Sequence, residues 1–329
     1  MTDAFYFYGC IKSGQEQDFG PIGIGGAVVK TMIARDIAAV VSAGPFMLYD
    51  SLEKEKTIKD LVTHQFVIEQ VMKQWTIVPV KFGTMVESEE QVRAFLHEGY
   101  DLLSGELSRM EGKIEIDVVA RWELPKVLVT LPRRNAEVLA KQQEVARKGA
   151  LAGVEEKIAL GKAIEQALAA EKARYRQDIL HALQQLAADV RLHPPASEDM
   201  IFNGSFLLDR RDEAAFAGAV DMLDRDFENM LNFRIVGPLP VYSFATLVLE
   251  SIDAGEFEQA RRLFGLEGEI TEKAVRDAYH RLAQRAHPDT NGGRVGDFHL
   301  VHTAYQTLKD YVEKGLVHVG LYRWESETV

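Results

Sequence analysis

The sequence predicts an α+β protein carrying an all-helical module behind it, and three observations lead there. Over residues 1 to 132, short β-branched and aromatic runs alternate with two stretches of helical spacing. Over residues 133 to 250, a helix-favouring Ala, Gln, Glu and Lys composition leads into a second, smaller unit of strand, helix and strand. Over residues 251 to 315 the apolar spacing is helical throughout, and a tail, 316 to 329, follows.

In the first block, Phe5 to Ile11, Ala27 to Lys30 and Ile33 to Ser42 read as strands around a Gly-rich hairpin loop, residues 20 to 26. Leu52 to Trp75 takes helical spacing, with Ile58, Leu61, Val62, Phe66, Ile68, Val71 and Met72 as the expected buried stripe. Ile77 to Phe82 is a short strand containing Pro79. Ser88 and Gln91 form an N-terminal cap for a helix whose stripe is Val92, Phe95, Leu96, Leu102 and Leu103. Lys113 to Trp122 and Val127 to Leu131 return to strand character, which suggests a sheet covered on one face.

Gly149 and Gly153 divide the following helical segment, and its second piece, Val154 to Val190, would run about 55 Å. His193-Pro194-Pro195 stops it. Met200 to Asp209 reads as a strand, Glu213 to Leu231 as a helix and Phe233 to Val236 as a strand. Three helices, Phe257 to Phe264, Thr271 to Ala286 and Val295 to Lys314, make up the last module. The apolar Leu316 to Tyr322 is strand-like, with no partner assignable from sequence.

Charge and composition exclude several functions. The 329 residues carry 38 Lys and Arg against 50 Asp and Glu, a formal charge of -12, so neither nucleic acid nor an anionic membrane is an expected partner. A single cysteine, Cys10, permits no intrachain disulfide and no cysteine zinc site. With no basic segment ahead of an apolar run at residues 1 to 5, and Gly44-Pro45 interrupting the most apolar stretch, a cytoplasmic location is expected.

Catalytic and cofactor readings find little support. The glycines at 20, 23, 25 and 26 lack phosphate-loop spacing. Cys10 sits among apolar residues and reads as core. His299 and His302, three apart on a helix, lack a third ligand, so no metal is expected. No Ser, His and Asp order and no close carboxylate pair stands out. The expectation is a non-enzymatic protein without a cofactor.

One signal carries mechanism. Val275, Ala278, Tyr279 and Leu282 form an apolar stripe that should pack on Phe298, Val301, Tyr305 and Leu308, while Lys273, Arg276, His280, Arg281 and Arg285 crowd the polar side. His287-Pro288-Asp289 then falls at the turn of an antiparallel helical hairpin. With Leu263-Phe264-Gly265-Leu266, Gly292-Gly293 and Ala304-Tyr305, this resembles the J-domain of Hsp70 co-chaperones. The resemblance implies that His287, Pro288 and Asp289, with the basic Arg276 and Arg281, dock on Hsp70 and stimulate its ATPase. The loop after the turn is shorter than usual in that family, and His280 stands where Arg is common.

The remaining 250 residues resemble the gas vesicle protein L/F family. The segments that carry the resemblance are Phe5 to Gly9 (with Tyr8), Val78 to Thr84 (with Pro79, Phe82 and Gly83), Lys157 to Lys162, Asn203 to Asp209 (with Phe206), and Gly237-Pro238 to Phe244 (with Tyr242). The resemblance implies a ferredoxin-like α+β domain, long helices, a second α+β domain, and a non-enzymatic accessory role in gas vesicle assembly. The implied partners are the hydrophobic shell subunit and other gas vesicle accessory proteins, with Hsp70 reached through the J-like module, in the cytoplasm or at the vesicle surface. The alternative is a general Hsp70 co-chaperone whose front region binds many clients.

Overall fold

The computed structural model describes residues 4–47, 49, 54–227, 230–286 and 295–326. The chain forms two units, one from residues 1–109 with 246–322 and one from 110–245 with 323–329. The α+β expectation holds.

The first unit is built on β1 (Ala4–Lys12), β2 (Asp18–Gly20), β3 (Val29–Ala34), β4 (Ile37–Gly44), α1 (Lys54–Met72), β5 (Ile77–Pro79), β6 (Met85–Val86), α2 (Glu89–Glu98) and α3 (Tyr100–Met110). The sheet order is β2-β3-β4-β1-β5, with β6 also pairing β1, and its neighbours run antiparallel. Apolar residues occupy both faces of β1, so it is buried from Ala4 to Ile11, and β4 is buried from Ile37 to Ser42. The one-face expectation is therefore corrected, as continuous apolar runs require cover on both sides.

The helix α1 exists as expected, and its expected stripe divides: Ile68, Val71 and Met72 turn inward, whereas the residues of the stripe's first half turn out. Asp60, His64, Val67, Ile68, Val71 and Met72 are buried. Ile58, Leu61, Val62 and Phe66 are exposed, at 51, 46, 64 and 45%. Asp60 and His64 on the inward side meet the hydroxyls of Tyr49, ahead of the helix, and Tyr6 on β1. Ser88 caps α2 as expected, its Oγ accepting from Gln91 N–H at 3.2 Å. The expected single helix through Leu103 is two, α2 and α3, meeting at Gly99.

The second unit contains β7 (Lys113–Trp122), α4 (Leu124–Arg134), α5 (Ala136–Lys148), α6 (Val154–Gln184), β8 (Asp189–Leu192), β9 (Met200–Asp209), α7 (Glu213–Asp226) and β10 (Leu231–Leu239). Its sheet order is β10-β7-β9-β8, all antiparallel. The strand β7, read from sequence as part of the first block, thus belongs to the second sheet. Val127 to Leu131, expected as a strand, lies in α4: Pro125 starts the helix, and Val127 and Leu131, four apart, are its buried pair. The long helix ends at Gln184 rather than Val190, because 189 to 192 pair with β9. Likewise α7 ends at Asp226, and Leu231 opens β10.

One face of this sheet is the core. Ile114, Ile116, Val118, Phe202, Phe206 and Leu208 pack with Tyr175, Ile179 and Leu183 of α6 and Phe216 and Val220 of α7. Alternation along β7 and β9 puts Glu115, Asp117 and Ser205 on the other face.

In the first unit, β11 (Thr246–Ser251), α8 (Ala254–Phe264), α9 (Glu272–Ala286), α10 (Val295–Lys314) and β12 (Val317–Tyr322) complete the described chain. The apolar tail that sequence left unpaired is β12, which runs antiparallel to β11 from Thr246 opposite Tyr322 to Ser251 opposite Val317. Ile252 N–H donates to Leu316 O at 3.0 Å. The three helices are therefore an insert between the strands of one hairpin, and a boundary at residue 251 falls at the end of a paired strand. Val319 of β12 packs on α2: a Cβ at Gly99 would lie 2.5 Å from its Cγ2. No helix among the described residues is long and apolar enough to cross a membrane.

Candidate functional site

Four of the five sequence-marked segments of the front region reach two places, one in each unit, and the fifth, Lys157 to Lys162, lies on α6. In the first, aromatic rings from β1 meet α1. Tyr6 Oη accepts from Gly83 N–H at 3.0 Å and lies 3.1 Å from His64 Nδ1. With Tyr6 as the donor, Nδ1 accepts and Nε2 carries the ring proton, buried without a partner among the described residues. Burial pushes the His64 pKa down to about 4, so the ring is neutral. Tyr8 Oη accepts from Ile24 N–H at 3.0 Å and hydrogen-bonds Ser42 Oγ at 2.9 Å. Tyr49 donates to Asp60 Oδ2 at 3.1 Å, and the Phe82 ring lies 4.7 Å from Tyr49 and 5.6 Å from His64.

Each sequence-marked residue here has a mechanical reason to be what it is. Gly9 stands opposite Pro79, where a Cβ would sit 2.6 Å from Val78 O, so β5 reaches β1 only because residue 9 has no side chain. Gly83 has φ +84 and presents its N–H to Tyr6. Cys10 is buried, as expected of a core residue, and burial raises its thiol pKa. The cluster is a packed support for α1, whose outer face is the exposed apolar stripe.

The second place lies on the far face of the second sheet. Ser205 Oγ donates to Asp117 Oδ1 at 2.5 Å and lies 2.7 Å from His193 Nε2. Ser205 has one proton and spends it on Asp117, so His193 is the donor of the other bond. Glu115 accepts from Ser243 N–H at 2.8 Å and from Ser243 Oγ at 2.7 Å. Burial, then the neighbouring Asp117, pushes the Glu115 pKa up to about 7. Burial also raises Asp117, against the hydrogen bond from Ser205. The two carboxyls, two apart on one strand, disfavour double ionisation.

Asn203 closes this site by donating from Nδ2 to Pro194 O at 3.1 Å. Gly237-Pro238 is a cis peptide, and a Cβ at Gly237 would lie 3.1 Å from Glu115 O. Tyr242 N–H donates to Pro240 O at 2.7 Å, and Phe244 is buried with the Arg191 guanidinium 5.3 Å from its ring centre. Phe206 lies across the sheet in the core, 5.1 Å from the Phe216 ring.

The reading that no close carboxylate pair exists is therefore corrected. Glu115, Asp117, Ser205, Ser243 and His193 converge, and the signal was available in the i, i+2 alternation of acidic residues along β7. The order is not that of a nucleophilic triad, in which imidazole stands between hydroxyl and carboxylate. Here the hydroxyl stands between them and is fully buried, so no substrate reaches it.

In the helical insert, Val275, Ala278, Val301 and Leu308 form the core with Tyr279, Leu282, Phe298 and Tyr305 packed on it, as the spacing predicts. Tyr279 and Tyr305 rings lie 4.2 Å apart. Lys273, Arg276, His280, Arg281 and Arg285 are all exposed along α9, with Arg276 Nη1 3.7 Å from Glu272 Oε1. His287, Pro288 and Asp289 lie outside the described residues. His299 Nδ1 bonds Thr303 Oγ1 at 3.1 Å and His302 lies by Tyr279, and no metal-type cluster occurs among the described residues.

A larger antiparallel sheet in each unit and a helical insert within a two-stranded hairpin define the class: a two-unit α+β protein with an all-helical module. The chain belongs to the GvpL/GvpF family of gas vesicle synthesis proteins, whose model matches residues 4–246. A DnaJ-domain model matches residues 262–316. Gas vesicle protein F of Nostoc sp. is 26% identical over 253 residues, covering 75% of this chain and 100% of that protein. Gas vesicle protein F of a Streptomyces species is 29% identical over 242 residues, covering 73% and 98%. The crystal structure of GvpF from an Anabaena species superposes with a TM-score of 0.62 at 24% identity, covering 74% of this chain and 98% of that one. It shows the fold of the front region.

Proposed function

We propose that this chain is a non-enzymatic accessory protein of gas vesicle assembly. Its front region holds the hydrophobic shell subunit, and its J-type insert engages Hsp70. The observation that carries the reading is the outward stripe of α1: Ile58, Leu61, Val62 and Phe66 present four large apolar side chains to solvent on a helix held rigid by the Tyr6, His64 and Asp60 contacts beneath it. An apolar helical face of this kind suits an aggregation-prone apolar partner. The exposed basic face of α9 and the match to the DnaJ domain support the Hsp70 half, with His287, Pro288 and Asp289 as the docking residues. The buried, hydroxyl-centred cluster of the second unit supports a structural rather than catalytic role there. Other gas vesicle accessory proteins are further partners, and the proposed place of action is the cytoplasm, at the growing vesicle.

The test is capture of purified shell subunit by the full chain and by Val62→Asp/Phe66→Asp. The variant should lose capture while keeping its circular dichroism and melting temperature, since both sites are exposed. Capture by the wild type should persist at about 1 M salt, where the Debye length is about 3 Å. Undiminished capture by the variant, or loss by moderate salt, would refute the reading.

A further inference from the structure

The chain leaves β12 at Tyr322 and its next residues enter the second unit as a strap across the polar face of the sheet. Trp324 N–H donates to Ser243 O at 2.9 Å and its indole Nε1 to Leu192 O at 3.2 Å. Leu192 N–H in turn donates to Ser326 Oγ at 3.2 Å. The Trp324 and His193 rings lie 4.8 Å apart. The strap thus uses both backbone groups of the last residue of β8, an edge strand that would otherwise present them unpaired.

Leu192, His193, Ser205 and Ser243 all lie within the span matched by the GvpL/GvpF model, residues 4–246, whereas Trp324 and Ser326 lie beyond it. Beneath the groove, His193 is fixed by Ser205, and Ser243 by Glu115, so the surface that receives the indole is built by buried hydrogen bonds and not by the strap. Such a surface recognises an extended peptide through one main-chain bond at Ser243, two side-chain bonds to the backbone of a strand edge, and one aromatic ring against His193.

We propose that the end of β8 and the Ser243 loop form a docking groove for an extended, tryptophan-bearing peptide, occupied in this chain by its own residues 323–326. The strap directly follows β12, the strand that closes the hairpin around the J-type helices.

The probe is a fluorescently labelled peptide of residues 320–329, offered to the full wild-type chain and to full-length Trp324→Ala/Ser326→Ala. In the wild type the covalent strap competes at high effective concentration, so the peptide should bind the variant at least about tenfold more tightly. A peptide with Ala at 324 should bind neither. Hydrogen exchange supplies the second reading: the Leu192 amide should exchange faster in the variant and be protected again by added peptide, with Phe206 unchanged as a sign that the sheet is intact. Should protection fall throughout β9, Ser326→Ala alone is read at Leu192. Equal peptide binding to both chains, binding to neither, or a Leu192 amide indifferent to these changes would overturn the proposal.

Discussion

Replacing Glu115 by Gln removes a carboxyl that the folded chain resists ionising. Its pKa rises from 4.5 to about 7 on folding, burial being the largest cause. Between those values the folded chain binds a proton that the unfolded chain has lost, so stability falls as pH rises from about 4.5 and levels off above about 7. A difference of that size corresponds to roughly 3 kcal/mol at full ionisation, with Asp117 moving in the same direction and sharing the titration. Gln keeps the geometry: its oxygen accepts from Ser243 N–H, and its amide donates to Ser243 Oγ, which can turn its proton to Ser205 Oγ 3.1 Å away. Glu115→Gln should match the wild type near pH 5 and exceed it by about 2 to 3 kcal/mol near pH 8. The assay is urea unfolding at both pH values in a Trp75→Phe background, so that Trp122 and Trp324, both in the second unit, report the transition. A wild type no less stable near pH 8 than near pH 5, or a variant that keeps the wild-type slope, would refute the argument.

Other outcomes follow from the same contacts. Gly9→Ala should destabilise the first unit by about 1 to 3 kcal/mol in chemical unfolding, because its Cβ meets the Val78 carbonyl of a paired strand rather than a movable side chain. Deleting residues 254–314 and joining the ends through Asn-Gly should leave the front region folded, since Ile252 and Leu316 are already hydrogen-bonded neighbours. Cutting after Glu250 instead should expose β11 and the Gly99 face of α2, and show lower melting and more aggregation. His287→Gln and Asp289→Asn should abolish stimulation of Hsp70 in single-turnover ATP hydrolysis while leaving the melting temperature of the chain unchanged.

Local rules made much of this protein legible. The cap at Ser88, the strands at Phe5 to Ile11 and Met200 to Asp209, and the packing of α9 on α10 all follow from spacing within one element. Failures came where a partner distant in sequence decides the outcome. In α1 the apolar count marked Ile58, Leu61, Val62 and Phe66 as buried, yet Tyr6 and Tyr49 pull His64 and Asp60 inward and turn those residues out. At Val127 to Leu131 β-branched composition pointed to a strand, but Pro125 and the four-residue spacing of the buried pair favoured helix. The strand β12 could not be placed because its partner β11 lies more than sixty residues earlier, across the whole insert. The carboxylates of β7 were visible as an alternation, and only the arrival of Ser243 and His193 from other elements makes them a cluster.

The insert illustrates how a helical module can sit within a hairpin without disturbing the hydrogen bonding of its strands. Ladder pairs run from Thr246 opposite Tyr322 to Ser251 opposite Val317, so both ends of the insert leave from adjacent backbone positions, as in an ordinary hairpin loop. Closing a long loop costs only slowly more than closing a short one, and the insert repays that cost with its own core of Phe257, Val275, Ala278, Val301 and Leu308. The strap adds a second constraint. It pairs with the end of β8 within the second unit, directly after β12. Loss of the strap should therefore leave the Val275 and Leu308 core intact, because no residue of that core contributes to the groove.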